Sequence, residues 1–300
     1  MVAVLVGRAR GLAVRILGAA ALAVAAACAG AGAREERTLR AALLDPLGAI
    51  AERGEELRAQ MAAGEKLRPG TRVAFVHHAL RTGADVDAAR LLAAEAAEHP
   101  SAGAFLRRYA EIMSLPPIPA LAEAEAGRAV LVLPAVDQTH QPAVAADLMA
   151  SLARPLLATG AWVVPIEVGL DLVARLGGEF TALGRGAPTP VLVQHLGTAL
   201  GLDACFALQI VEWRAHAAFV LEIVEHDVRY ALLDAATGEA RWRRTVAGTY
   251  ARREPLVTFS PYDEDPTFFY PSSQGPVFDD QFEFARALNR AALGPLTRPR

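Results

Sequence analysis

Apolar residues recur at helical spacing through the first half of the chain and gather into short continuous runs through the second. This change of period predicts an α+β fold. From Glu35 to Lys66, Leu43, Leu44, Leu47 and Ile50 fall at helical intervals, with Pro46 as a break. After the Pro69-Gly70 turn, Val73, Val76, Ala79 and Leu80 mark one face of a helix that Gly83 ends. Asp85 is placed to cap the next helix, whose face is Val86, Ala89, Leu92, Ala93 and Ala96. His99-Pro100-Ser101 opens a third, carrying Phe105, Leu106, Tyr109 and Ile112. A helical hairpin plus one helix is similar to a single tetratricopeptide-type unit. A lone unit buries its own face poorly, so it is expected to pack on the rest of the chain or on another protein.

Pro116, Pro117 and Pro119 make the next stretch a stiff linker, since proline disfavours helix at and before itself. Beyond it, Ala129-Val130-Leu131-Val132-Leu133 is continuously apolar, as a strand covered on both faces would be. A helix from Pro142 through Leu148, Leu152, Leu156 and Leu157 is expected to end at Gly160. Trp162 to Pro165 predicts a strand, Leu170 to Leu176 a short helix, Val191 to Gly201 another, and Cys205 to Val211 a strand. Phe219 to Leu233 and Arg241 to Tyr250 read as a long hairpin turning at Thr237-Gly238-Glu239. The second half is therefore expected to be a two-layer or three-layer α/β unit, its mixed sheet ending in a β-meander. Pro and aromatic residues crowd the stretch from Glu254 to Pro276, including Phe268-Phe269-Tyr270, and a last helix follows from Asp279 to Leu293. The expected boundaries are 34–115 for a helical domain, 116–127 for the linker, 128–250 for the mixed-sheet domain, 251–278 for an irregular segment and 279–295 for the final helix.

The amino terminus has a separate character. Arg8, Arg10 and Arg15 are basic, Leu12 to Ala27 is largely apolar, and Ala25-Ala26-Ala27 precedes Cys28. A basic start, a short apolar core and a small-residue exit predict a secretory signal peptide over 1–27. The uninterrupted apolar stretch is shorter than the roughly 20 residues a membrane span requires. An ordinary signal cut after Ala27 and an uncut short anchor are the alternatives to a cut that leaves Cys28 first. Residues 28–33 are small and read as a tether.

Composition narrows the function. The chain is 53% hydrophobic and 21% charged, with a net charge of −3. That balance gives no nucleic-acid signal. Lys66 is the only lysine, and the two cysteines are Cys28 and Cys205. Cys205 starts an apolar run and reads as a buried, inert residue. His77 and His78 are adjacent on a helix, point to different faces, and read as packing or surface residues. His195, His216 and His226 are dispersed, so no zinc set is expected. No phosphate loop or nucleophile elbow occurs. Asp137-Gln138-Thr139-His140 follows the first strand, where α/β sheets often hold ligands, and is the candidate binding loop. Phe268, Phe269 and Tyr270 are candidate contact aromatics. No catalytic set and no cofactor other than a covalent lipid is expected.

The small residues before Cys28 resemble the bacterial lipobox, with Ala25 where leucine is usual. That resemblance implies lipid on the Cys28 sulfur, and Ala29 after it implies the outer membrane. Val132-Leu133-Pro134, Leu156 before Gly160, Trp162-Val163-Val164-Pro165, Leu200-Gly201-Leu202-Asp203-Ala204, Trp213 and Thr237-Gly238-Glu239-Ala240-Arg241-Trp242 together resemble a bacterial lipoprotein family of GNA type. The function of that family is unknown. Its fold is similar to the periplasmic domain of the curli channel CsgG, to the synthase activator LpoB and to the N-terminal domain of TolB. Upstream, Lys66 to Gly70, Gly83 with Asp85 and Ala88-Ala89, and His99 to Ala102 with Phe105 resemble a second small lipoprotein family, which implies a fusion. The implied function is a non-enzymatic, protein-binding component on the periplasmic face of the outer membrane, working with a CsgG-like complex. An LpoB-like regulator of peptidoglycan synthesis is one alternative, and a periplasmic ligand-binding or hydrolytic enzyme using the Asp137 to His140 loop is the other.

Overall fold

The computed structural model describes residues 35–45, 50–63, 67–122, 128–176, 188–218, 221–253, 277–278 and 281–297. Cys28, the signal peptide and tether, the loop 177–187 and the aromatics Phe268, Phe269 and Tyr270 lie outside these residues.

Five helices come first: α1 (35–44), α2 (Ile50–Ala62), α3 (Thr71–Thr82), α4 (Ala88–Glu98) and α5 (Gly103–Ile112). The break expected at Pro46 falls outside the described residues, between α1 and α2, and Gly83 ends α3 in the left-handed conformation at φ 69°. The cap of α4 is a correction. Asp87, not Asp85, accepts the Arg90 N–H, because Asp87 is the residue immediately before the first helical turn.

The second half alternates strands and helices. They are β1 (Ala129–Val132), β2 (Val136–Asp137), α6 (Pro142–Ala150), α7 (Ala153–Leu157), β3 (Trp162–Val163), α8 (Ile166–Arg175), α9 (Pro190–Leu200), β4 (Ala204–Ala218), β5 (Leu221–Asp234), β6 (Ala240–Arg253), β7 (Val277–Phe278) and α10 (Gln281–Leu293). The strands form one mixed sheet in the order β3-β1-β4-β5-β6-β7, with β2 also on β4. β1 runs parallel to β3 and β4, while β4, β5 and β6 form the antiparallel meander.

Several boundaries differ from the expectation. The helix from Pro142 breaks at Ser151, whose hydroxyl donates to the Asp147 and Leu148 carbonyls and so competes with the helix ladder. The α8 helix begins at Ile166, because Pro165 is extended (φ −52°, ψ 132°) and its carbonyl takes the Gly169 N–H. The β4 strand continues past Val211 to Ala218. A bulge between Ile210 and Glu212 shifts the alternation, and the strand then presents Trp213 inward and Arg214 outward.

Helices cover both sheet faces, so the architecture is three-layered. Alternate residues of β1 point to opposite sides. Ala129, Leu131 and Leu133, with Cys205 and Leu233, pack under Val73, Val76, Leu92, Phe105, Leu106, Tyr109, Val168, Leu172 and Leu196. Val130 and Val132, with Phe206, Leu208, Ile210, Tyr230 and Tyr250, pack against α6, α7 and α10. The helical face of α3 to α5 is thus buried on the sheet of its own chain. Phe105 meets Trp162 with ring centroids 5.4 Å apart. Among the described residues, no helix is long and apolar enough to cross a membrane.

Candidate functional site

The loop after β1 is built around one carboxylate. Asp137 ends β2, which is parallel to β4 at Gln209 and Ile210. Its Oδ1 accepts the Thr139 N–H at 2.8 Å and the Thr139 hydroxyl at 2.6 Å, and its Oδ2 accepts the Gln141 N–H at 2.6 Å. The Gln141 side chain donates to the Trp213 carbonyl at 2.7 Å. These bonds wrap the loop around Asp137 and deliver the chain to Pro142, the first residue of α6. Gln138 and His140 are exposed, and His140 is left-handed at φ 57°. The structure therefore brings the four candidate residues together as a turn whose carboxylate faces its own backbone.

The two buried histidines of the described residues sit apart, His77 on α3 and His226 on β5. His77 is sealed between α3, α5 and α8. Its Nδ1 lies 3.3 Å from the Tyr109 hydroxyl and its Nε2 lies 3.5 Å from the Asp171 carboxylate. Burial holds the imidazole below its ordinary pKa, with Asp171 and Glu167 opposing. The same burial pushes the Tyr109 hydroxyl up. No nucleophile joins them in the described residues. His226 stands in an aromatic cluster with Trp213, Tyr250 and Phe284, and its burial also lowers its pKa. Cys205 is fully buried and its thiol is pushed up to about 12 by that burial, which removes it as a nucleophile. Among the described residues, no three metal-ligating side chains converge.

A polar network under α1 carries little signal in the sequence. Arg40 of α1 contacts the buried Asp147 of α6, which also accepts from Gln281 at 2.6 Å. Asn289 of α10 accepts from the Tyr230 hydroxyl at 2.9 Å and donates to the Leu148 carbonyl and the Ser151 hydroxyl, both at 2.8 Å. These bonds fix α1, α6 and α10 against one another. Glu36 is thereby enclosed by Arg154, Arg286 and Arg290 at the wall of a cavity of about 220 Å³. Arg286 Nε is 2.7 Å from Glu36 Oε2, and Arg154 Nε is 3.7 Å from Oε1. Glu36 is 5% exposed, and its Oε2 has no aligned hydrogen bond among the described residues. Burial pushes its carboxyl above the usual range, with Arg286, Arg154 and Arg290 opposing the shift. A second, smaller cavity adjoins on the β3–α8 side, where Arg53 bridges Glu167 at 2.7 Å and Glu56 at 2.9 Å.

No protein-family model matches the chain, and no curated protein sequence matches it. Solved structures do resemble part of it. Lipoprotein GNA1162 from Neisseria meningitidis is 18% identical, with 41% of this chain and 83% of that one covered and a TM-score of 0.36. A PelC dodecamer from Paraburkholderia phytofirmans is 18% identical over 58% of this chain and 91% of that one, with a TM-score of 0.36. The hypothetical protein CT253 from Chlamydia trachomatis is 16% identical over 41% and 73%, with a TM-score of 0.30. At these identities and scores the likeness says nothing of activity or partners.

Proposed function

We propose that the chain is a bacterial envelope lipoprotein, held through lipid on Cys28 to the periplasmic face of the outer membrane, where it binds other envelope proteins without catalysis. The observation that carries this is the order of the amino terminus: three arginines, an apolar core, and Ala25-Ala26-Ala27 against Cys28. A single acyl chain anchors only marginally, so stable attachment takes more than one. The second cysteine supports the reading, since Cys205 is enclosed in the core and is not free to pair with Cys28 there. The binding role is supported by the outer face of the meander beyond Gln209, where Arg214, His216 and Thr249 are exposed while the opposite face buries Trp213, Val228 and Tyr250. A CsgG-like lipoprotein complex is the proposed partner, on the sequence resemblance alone.

Metabolic labelling with an alkyne fatty acid tests the anchor. Label should appear on the wild-type chain and vanish in Cys28→Ala, and label retained by the variant would overturn it. Crosslinking in intact cells followed by mass spectrometry tests the partner. Recovery of a CsgG-like protein supports it, and crosslinks to none but soluble proteins would sink it.

A further inference from the structure

We propose that the arginine-walled cavity under α1 binds a phosphate group, either that of a phospholipid headgroup or free phosphate. The charge count is the first support. Arg154, Arg286 and Arg290 face one carboxylate, Glu36, which leaves two positive charges in excess around the cavity. Each guanidinium carries five N–H donors in a planar fork suited to phosphate. Glu36 meets Arg154 and Arg286 at their Nε atoms, so it orients both groups without exhausting their donors. Arg290 is exposed and acts on Glu36 only at longer range, making no ion pair within 4.0 Å among the described residues. Three forks exceed what the two oxygens of a carboxylate ligand can accept and match the larger oxygen set of a phosphate.

Space and rigidity are the second support. At about 220 Å³ the cavity greatly exceeds the roughly 10–15 Å³ that one water requires. Its floor is fixed: the Ser151 hydroxyl is committed to the Asp147 and Leu148 carbonyls and to Asn289. Arg286 and Arg290 come from α10, which that same Asn289 ties to the end of α6, and Arg154 comes from α7, which starts two residues past Ser151. Arg286 and Arg290 are one turn apart on α10 and therefore share a face.

The third support is position, and it rests on the lipid anchor proposed above. Glu36 is eight residues from Cys28, a reach of at most about 29 Å even when fully extended. A chain anchored at Cys28 keeps this cavity close to the headgroups, where arginines are drawn to anionic lipid within about one Debye length.

The test uses the full-length Cys28→Ala chain, which removes insertion through the lipid, alongside the same chain carrying Arg290→Gln. Arg290 is the residue to change because, among the described residues, no ion pair within 4.0 Å depends on it; a matching circular dichroism melt checks that the variant folds. Calorimetric titration with inorganic phosphate and with acetate, and flotation with phosphatidylcholine vesicles with or without phosphatidylglycerol, give the readouts. Saturable phosphate binding weakened at least tenfold by Arg290→Gln supports the site. If phosphatidylglycerol vesicles also float the protein in an Arg290-dependent way, the source is the headgroup. If only inorganic phosphate binds, the source is free phosphate. No phosphate or vesicle binding, equal binding of acetate, or binding unchanged by Arg290→Gln overturns the proposal. Because phosphate titration does not depend on lipidation, a failure here is separable from a failure of the anchor.

Discussion

The indole N–H of Trp162 donates to the fully buried carboxylate of Glu95 at 2.9 Å, joining the α4 helix to the edge strand β3. The same carboxylate accepts the Gly70 N–H at 2.6 Å and lies 3.3 Å from the Arg72 guanidinium. One side chain thus ties the start of α3, the middle of α4 and the sheet. A buried charge is tolerable only when its partners are complete.

Glu95→Ala is therefore expected to cost about 3–5 kcal/mol, because it strands two buried N–H donors and the arginine. Trp162→Phe should cost about 2 kcal/mol, through the lost hydrogen bond and ring contact with Phe105. Chemical denaturation of both variants and their double mutant measures this. The two effects should be less than additive, and strict additivity would show that the pair is not coupled.

For the Asp137 turn the expectation separates structure from chemistry. Asp137→Ala removes the acceptor of two backbone N–H groups and a hydroxyl, and should cost about 1–2 kcal/mol. His140→Gly should be neutral or stabilising by up to about 1 kcal/mol, since glycine adopts a φ of 57° without strain. If instead Asp137→Ala left the melting temperature untouched while a cellular phenotype disappeared, the loop would be a working site and not a corner.

How far these features were legible depends on whether their signal was local. Ala129 to Val132 showed itself because a strand covered on both faces must be apolar at every position. Gly83 and Gly201 marked helix ends because both are left-handed C-caps. The far half of β4 was missed because the bulge after Ile210 resets the alternation at the point where charges begin. β2 and β7 are two residues each, too short to carry a period. The Glu36 cavity had almost no local signal: Glu36, Arg154 and Arg286 sit on three separate helices, each as an ordinary helical charge. Only the i, i+4 spacing of Arg286 and Arg290 was visible, and that spacing is common on any solvated helix.

The aromatic cluster gives a pH dependence with a definite sign. His226 is packed among Trp213, Tyr250 and Phe284, its Nδ1 lacks a hydrogen-bond partner among the described residues, and burial lowers its pKa from 6.5. Below pH 6.5 the unfolded chain then binds a proton that the folded chain refuses. Its contribution to stability is full above 6.5 and is lost as pH falls, by at most about 1.4 kcal/mol per pH unit. His77 acts in the same direction, while Glu36, with its raised pKa, acts in the opposite one. The isolating measurement is thus the difference in urea midpoint between wild type and His226→Phe at pH 7.5 and 5.5. Wild type should lose ground to the variant at the lower pH, and a gap independent of pH would show that His226 does not titrate with folding.

Gly238 sets the β5–β6 turn against the start of α9. Its φ is 73°, a left-handed value that glycine accepts readily and other residues resist. A Cβ at this position would lie 2.4 Å from the Pro190 Cα and 2.5 Å from the Pro190 carbonyl oxygen, both backbone atoms. The turn is further pinned by Asp234, whose carboxylate accepts the Ala236 and Thr237 N–H groups and pairs with Arg241. Neither the turn nor the helix can yield separately, because Gln194 of α9 donates to the Thr237 carbonyl at 2.9 Å. Gly238→Ala should therefore cost about 2–4 kcal/mol, combining a left-handed penalty with a backbone clash. Thermal melts would show it as a large drop in midpoint. A loss under about 1 kcal/mol would mean that α9 moves freely away from the turn, and that its packing over Cys205 and Leu233 is looser than the contact with Pro190 implies.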